Sequence, residues 1–390
     1  MNKKDVASIR KEFKLDNTKL KLEDIVSIYV KGDSKQIIGI EKEYFGMMDT
    51  QKQELYLKNF KKLLTGPLDT KVFELEFSHN ELGQNLTQKA LMDTLQSSNF
   101  IEQAEELARK IIESCDYQDD FVVSFLRGEV FKPMKLEKRE DESGIDDLVF
   151  SFNFFMGSIN PVTVPQTALK FDFEGKVFRA ALPMDVIINL NAPLDGFMFP
   201  SWNDQAADVN RVVYYSNKAN KPNMEFLEQV LDCDFHATAQ LEKEQFFEIV
   251  QEVVGIEIEA EKIASIYEGV NYILTRNEEE ENPESAAVGL KDMEQILHAS
   301  GVENTEHLET AFMDITGTDN YEFKASNIVP KFTGKSIKIE NDTVSIAISP
   351  QDLKNIKQVK KDGRKYLLIE IDETVNLEGF ELSTEALEAL

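Results

Sequence analysis

The sequence predicts an α+β protein with more than one domain, and three observations support this prediction. Its 390 residues exceed the length of a typical single domain and fit two or three. Apolar residues make up 42% of the chain, which is enough for ordinary cores. Along the chain, the spacing of apolar residues is first a mixture of helical and strand patterns, then helical, and finally typical of strands. We therefore predict an α+β main region with a mixed sheet over residues 1–220, an acidic helical region over 221–325 and a small β-rich C-terminal region over 326–390.

The main region is predicted to alternate between helices and strands. Apolar residues recur at helical spacing up to Phe13. Two extended segments follow, and Gly32-Asp33-Ser34 between them is expected to supply the positive φ of a hairpin turn. The further elements are predicted as strands Asp24–Lys31 and Gln36–Tyr44, a helix from Asp49 to Gly66-Pro67, strand Val72–Phe77, helices Thr87–Leu95 and Ile101–Ser114, and strands Phe121–Leu126, Leu148–Met156, Leu169–Phe173, Val177–Ala181, Asp185–Leu190 and Val212–Tyr215.

From Met224 the apolar spacing becomes helical, and it returns to alternation near the C-terminus. The polar run Glu278–Pro283 is expected to be a solvated linker, because it combines four glutamates with a helix-breaking proline. The elements predicted here are helices around Phe226–Leu231, Phe246–Val254, Ile263–Ile273, Met293–His298 and Leu308–Ile315, and strands Ser336–Glu340, Val344–Ile348 and Lys365–Ile371.

The charge of the chain is strongly negative and unevenly distributed. Its net charge is −28, yet residues 1–70 hold 14 basic and 11 acidic side chains. Residues 241–320 hold 4 basic and 20 acidic side chains, a net charge of −16. Such a surface repels phosphate backbones and anionic lipids, so binding to nucleic acid or membrane is disfavoured. The expected partner is instead a protein with a basic surface.

The two cysteines, Cys115 and Cys233, do not make a disulfide framework and suit a reducing compartment. The opening residues, from Met1 to Arg10, contain no apolar segment of the kind found in signal peptides. No apolar run approaches the ~20 residues that span a bilayer. We therefore expect a cytoplasmic protein.

Complete catalytic motifs are not found in the sequence. Thr333-Gly334-Lys335-Ser336 resembles the end of a phosphate-binding loop, but that motif requires glycine where this chain has Val329. Cys233 and His236 have a spacing that could share a zinc ion, but the second half of a zinc site is missing.

The segment from Asp195 to Asp204 is the most unusual part of the chain, because a glycine and a proline bracket three large apolar residues just before the only tryptophan. If Asp204 opens a helical turn, Asp208 and Arg211 lie on its face at i+4 and i+7. The segment is then either a packed connection with Asp204 capping and Arg211 paired, or a polar cluster that lines a cleft beside Trp202. The candidate binding residues are Gly196, Phe199, Pro200, Trp202, Asn203, Asp204, Asp208, Arg211, Tyr214 and Tyr215.

This segment resembles the central signature of the bacterial family known as domain of unknown function 4317, through Gly196–Pro200, Asn203-Asp204, Asp208 and Tyr214-Tyr215. The opening Met1–Asp5 and the C-terminal Asp362–Ile369 are similar to that family as well, in the same order along the chain. The resemblance implies a bacterial cytosolic protein. It implies no activity, cofactor or catalytic residue.

Two classes of function follow from the residues. The first is a non-enzymatic binding or regulatory protein that acts through its acidic surface and needs no cofactor. The second is a metal-assisted hydrolase in which Asp204 and Asp208 would bind a divalent cation such as Mg²⁺. We favour the first, because no complete catalytic motif is present. The sequence does not decide whether the protein is an enzyme. It does not determine the oligomeric state either.

Overall fold

A computed structural model describes residues 1–17, 19–133, 149–163, 168–181, 186–202, 206–279, 286–330, 332, 334–372 and 374–384. The chain forms two compact units, residues 1–238 and 239–390. Helices and antiparallel sheets are both abundant, so the predicted α+β class is confirmed. The division into three regions, with boundaries near residues 220 and 325, stays a prediction. Within the described ranges, every helix is too short or too polar to cross a lipid bilayer.

A large antiparallel sheet forms the centre of the first unit, residues 1–238. The strands of this unit are β1 Leu20–Lys31, β2 Gln36–Tyr44, β3 Val72–Phe77, β4 Phe121–Pro133, β5 Val149–Thr163, β6 Ala168–Asp172, β7 Val177–Ala181, β8 Ile187–Ile188, β9 Asp195–Phe199, β10 Ser201–Trp202, β11 Ala207–Asp208, β12 Arg211–Ser216 and β13 Cys233–Asp234. The order across the large sheet is β13-β3-β12-β9-β5-β4-β1-β2, and β8 pairs with the far end of β5. The remaining strands form two separate hairpins, β6–β7 and β10–β11.

Helices cover both faces of this sheet, because its central strands are apolar on both sides. The helices are α1 Lys3–Glu12, the 3-10 helix Phe45–Met47, α2 Thr50–Leu63, α3 Leu86–Gln96, α4 Phe100–Ser114 and the π-helical segment Phe226–Leu231. One face of the sheet packs against α1 and α2 through residues such as Ile9 and Phe60. The other face packs against α3, α4 and the π-helical segment through residues such as Phe100 and Phe226.

The β1–β2 hairpin forms as predicted, but the expected role of Gly32 was wrong. The residue with positive φ in this turn is Lys35, at 53°, and Gly32 does not have positive φ. A Cβ atom at Gly32 would lie 2.5 Å from the backbone carbonyl carbon of Asp119. Glycine is therefore required there by a close backbone contact from a distant segment, which no local pattern reveals.

The second unit, residues 239–390, combines a helical core with small hairpins. The core is formed by Phe246, Ile249, Val270, Phe312 and Phe323, together with other apolar side chains. Its helices are α5 Ala239–Val254, α6 Ala260–Glu279, α7 Leu290–Ala299, α8 Leu308–Thr316, α9 Ala325–Ile328 and the 3-10 helix Pro350–Asn355. Its strands are β14 Ala287–Val288, β15 Phe323–Lys324, β16 Ile337–Glu340, β17 Ser345–Ile348, β18 Ile356–Lys361, β19 Arg364–Ile369, β20 Asn376–Leu377 and β21 Phe380–Glu381.

Most predicted elements of the second unit are present. Strand β18 was not predicted, because all of its residues after Ile356 are exposed and no alternating apolar face marks it. In the predicted linker Glu278–Pro283, α6 continues to Glu279 and the remaining residues lie outside the described part of the chain.

Candidate functional site

The segment singled out from the sequence lies in the middle of the large sheet. All five residues of β9 are buried, and Pro200, which follows a cis peptide bond, is buried too. Because side chains alternate along a strand, Phe197 and Phe199 enter the core on the α4 side and Met198 enters the core on the α2 side. These apolar members of the segment are core residues.

Gly196 allows helix α2 to approach the sheet closely. The strand registers align Ser27, Ser124, Ser158 and Gly196 in one row across β1, β4, β5 and β9. A Cβ atom at Gly196 would lie 2.4 Å from Cδ2 of Leu63 in α2 and 2.8 Å from a backbone carbonyl oxygen of β5. The signature glycine therefore has a packing role that follows directly from this geometry.

Trp202 belongs to the core on the α2 side of the sheet. Its side chain is 3% exposed, and its ring centroid lies 5.3 Å from that of Phe152 and 5.5 Å from that of Phe154. Edge-to-face and tilted contacts of this kind stabilise aromatic clusters. The indole is a packed core residue.

The helical turn considered after Asp204 is absent at its described residues. Ala207 and Asp208 form β11, which pairs antiparallel with Ser201 and Trp202 of β10, and Arg211 begins β12. The backbone here is hydrogen-bonded as paired strands and not as a helical turn. Asp208 and Arg211 therefore do not share one face of a helix. Asn203 and Asp204 lie outside the described residues.

Arg211 is the centre of a charged cluster at the start of β12. Its guanidinium contacts Glu76, which stands opposite Arg211 in the register of β12 and β3. It also lies 3.6 Å from Oε2 of Glu74 and 3.6 Å from Oδ2 of Asp208. Ser201 donates a hydrogen bond to Glu74. Arg211 is therefore ion-paired, and its partners include Glu74 and Glu76, which the sequence did not suggest.

The carboxyl group of Glu74 is stabilised in its charged form. Burial disfavours ionisation, but the α-ammonium group of Met1, the hydroxyl of Ser201 and the guanidinium of Arg211 together hold the pKa of Glu74 below its ordinary value. Alternation in Val72–Phe77 predicted the strand that carries Glu74. Its partners could not be read from the sequence, because they come from segments more than 70 residues away.

Tyr214 lies on the opposite face of β12 and anchors a buried carboxylate. Its hydroxyl donates to Oδ1 of Asp195 at 2.5 Å, while Tyr117 and Asn223 donate to Oδ2 at 2.7 Å and 3.1 Å. Burial raises the pKa of Asp195, and the three hydrogen bonds oppose this rise. Sequence reasoning missed Asp195, Tyr117 and Asn223 as a group. The one local signal was a lone acidic residue at the start of an apolar strand.

Cys115 and Tyr215 are two further buried groups of the first unit. Burial raises the pKa of the Cys115 thiol to about 12, so it is a poor nucleophile at neutral pH. Tyr215 is 2% exposed and packs in the α2-side core. Among the described residues, no group of three or more His, Cys, Asp or Glu side chains is arranged to hold a metal ion. Most described polar groups from Asp195 to Tyr215 are thus paired within the fold.

Unpaired charge occurs instead on α5 of the second unit. Leu241, Glu244, Glu248 and Glu252 are exposed and follow one another at helical spacing, and we call this set the acidic face of α5. Across the described chain, no Lys or Arg side chain lies within ion-pair distance of these three glutamates. Glu244 accepts a hydrogen bond from the side-chain amide of Gln240 at 2.7 Å, which leaves its charge without a cationic partner. The one basic residue of α5, Lys243, places its ammonium 5.7 Å from the ring centroid of Tyr267.

The acidic face of α5 is electrostatically unfavourable for the isolated helix. Glu244, Glu248 and Glu252 form two like-charged i,i+4 pairs, each of which costs a helix about 0.2–0.5 kcal/mol. Exposed apolar side chains flank these charges, since Leu241 is 41% exposed and Ile256, just beyond the helix, is 87% exposed. The opposite face of α5 holds Phe246 and Ile249 in the core of the second unit.

Comparison with known families gives one match, the domain of unknown function DUF4317, whose family model matches residues 1–380. The chain belongs to this family. The matched range includes the Gly196–Tyr215 segment and the acidic face of α5. Among curated proteins, no sequence matches the chain.

Proposed function

We propose that this DUF4317 protein is a non-enzymatic binding or regulatory protein that captures a protein partner with a basic surface through the acidic face of α5. The observation that carries the proposal is the row of three exposed glutamates without a described cationic neighbour. Some surface carboxylates, such as Glu41, Asp120 and Asp172, have basic partners, and others, such as Glu294, have none among the described residues. The acidic face of α5 differs from the latter in presenting three glutamates at successive i,i+4 positions of one helix.

The arrangement suits an amphipathic, basic partner segment. Lys or Arg side chains of such a segment would neutralise the glutamates and remove the repulsion between them. Its apolar residues would cover Leu241 and Ile256, which lie at the two ends of the charged row. Charge of this kind mainly accelerates and orients association, so binding should weaken as ionic strength rises.

The test uses a lysine-rich amphipathic peptide as the probe and calorimetric titration at low and physiological salt. The variant Glu244→Gln/Glu248→Gln/Glu252→Gln removes the charges of the acidic face of α5. Because an exposed ion pair contributes about 0.5 kcal/mol, loss of three pairs should weaken binding about ten-fold. The control variant Glu294→Gln/Glu303→Gln/Glu309→Gln changes the net charge equally at other exposed positions of the second unit.

The proposal predicts that the control binds within about two-fold of the wild type, since distant surface charges are screened. Binding that does not depend on salt would contradict it. Equal losses in both triple variants would also contradict it, because they would reflect only the overall negative charge. Circular dichroism of both variants checks that α5 still folds.

A further inference from the structure

The β6–β7 hairpin of the first unit has one apolar face. Antiparallel pairing places Phe171 opposite Phe178, and Leu169 lies two residues before Phe171 on the same side of β6. The turn adds Phe173, whose ring centroid lies 5.1 Å from that of Phe171. We call these four residues, Leu169, Phe171, Phe173 and Phe178, the hairpin apolar face.

The hairpin apolar face is largely exposed to solvent. Leu169 is 77% exposed, Phe171 41%, Phe173 83% and Phe178 73%. None of them belongs to a described hydrophobic core of the unit, and the two strands pair only with each other among the described residues. Large exposed apolar patches mark interaction surfaces, and an isolated two-stranded hairpin is only marginally stable in water.

The opposite face of the same hairpin carries an ion pair. Nε of Arg179 lies 3.2 Å from Oδ2 of Asp172, so these charges pair across the two strands. The hairpin apolar face carries no charged group that could select a charged partner. Its complement must therefore be apolar and of similar size, and a second copy of the same face meets both conditions.

We infer that the hairpin apolar face is a self-association surface, through which two copies of the chain pair about a twofold axis. A fully exposed phenylalanine side chain offers roughly 200 Å² of surface, so the observed exposures amount to roughly 500 Å² in each copy. Complete burial of this face in both copies would remove roughly 1,000 Å² from solvent, which just reaches the lower limit for a specific interface. The expected product is a weak, concentration-dependent dimer with Kd in the micromolar range.

Sedimentation velocity of the full chain from about 1 μM to about 200 μM tests the inference, since this range brackets a micromolar Kd. The wild type should shift from monomer to dimer, and Leu169→Ser/Phe178→Ser should stay monomeric throughout. The control Leu82→Ser/Leu86→Ser removes two side chains of comparable exposure elsewhere, 80% and 78%, and should dimerise like the wild type. If the first variant fails to fold, the single change Phe173→Ser in the turn replaces it.

A spin label provides an independent geometric test. Both native cysteines are buried, so Lys176→Cys in the hairpin turn introduces the one readily labelled thiol among the described residues. Dimers paired through the hairpin should give an intermolecular distance between labels that disappears when Leu169→Ser/Phe178→Ser is added. A wild type that stays monomeric overturns the inference, as does a dimer that the hairpin variants leave intact.

A membrane is the other apolar environment that this face could enter, and vesicles distinguish the two. Flotation of the wild type with phosphatidylcholine vesicles, lost in Leu169→Ser/Phe178→Ser without any dimer in solution, would overturn self-association in favour of lipid binding. Absence of flotation together with a hairpin-dependent dimer supports the inference.

Discussion

Replacing Gly196 by alanine tests the idea that the signature glycine serves the packing of α2 against the sheet. The new Cβ atom would lie 2.4 Å from Cδ2 of Leu63 and 2.8 Å from the backbone oxygen of Gly157. Ordinary contacts between carbon atoms are about 3.5–4.0 Å, so both neighbours would have to move. Leu63 can change rotamer, but the carbonyl belongs to the hydrogen-bonded sheet. Overpacking of this kind costs about 1–3 kcal/mol, and we expect the upper half of that range.

Urea denaturation followed by the fluorescence of Trp202 measures this loss. Trp202 is the only tryptophan, and it is buried in the first unit, so its emission reports the unfolding of that unit. A loss of about 2 kcal/mol should lower the urea midpoint by about 1 M. Gly39→Ala is the matched control, because a Cβ atom at Gly39 in β2 meets no heavy atom within 4 Å.

A double-mutant cycle identifies the contact responsible. Leu63→Ala alone should cost about 2–5 kcal/mol, because it removes a buried side chain. Gly196→Ala should cost less on that background, with a coupling energy of about 1 kcal/mol. The reasoning is refuted if Gly196→Ala unfolds at the same urea concentration as the wild type, or if Gly39→Ala is equally destabilised.

Three further predictions concern the polar groups of the first unit. Tyr214→Phe removes a donor to buried Asp195 and should cost about 1.5–3 kcal/mol. Because burial raises the folded-state pKa of Asp195 and loss of the donor raises it further, the destabilisation should grow as pH rises through that pKa; a pH-independent loss in urea titrations would contradict this. Arg211→Gln should cost at most about 1 kcal/mol at pH 7, because the guanidinium is half exposed. Glu74 has a lowered folded-state pKa, so the stability from this pair is present above its unfolded pKa of about 4.5 and is lost as pH falls through the folded value; an unchanged difference in acid would count against the pairing. If the metal-assisted alternative holds, Mg²⁺, Mn²⁺ or Ca²⁺ should raise the Tm of the wild type but not of Asp204→Asn, and a thermal-shift screen without selective stabilisation would exclude it.

The strands and helices of this protein could be predicted largely from local patterns. The alternation in Val72–Phe77 and the helical spacing in Phe246–Val254 predict elements that the structure contains. Such patterns indicate which residues of an element face an apolar environment, because the burial of one face depends mainly on the side chains of that same element. The concentration of negative charge in residues 241–320 is likewise a property of the sequence alone.

The role of each polar residue described between Asp195 and Tyr215 depended on partners that are distant in sequence. Strand register places Arg211 opposite Glu76, which is 135 residues earlier, and brings Ser201 to Glu74. Registers are specified by the packing of whole faces and by connections elsewhere in the sheet, so the residues around Arg211 could not reveal them.

The acidic composition of α5 was evident from the sequence. Only the tertiary structure showed that its exposed glutamates have no cationic partner among the described residues. Folding turns Lys243 toward Tyr267 and leaves Glu244, Glu248 and Glu252 exposed without a described cation nearby. In the same way, the sequence predicted β6 and β7 as strands. Only the structure showed that the hairpin apolar face is largely exposed and that no other described part of the chain covers it. Local preferences determine which elements form. The complementarity of distant surfaces determines which side chains are satisfied inside the chain and which are left for a partner.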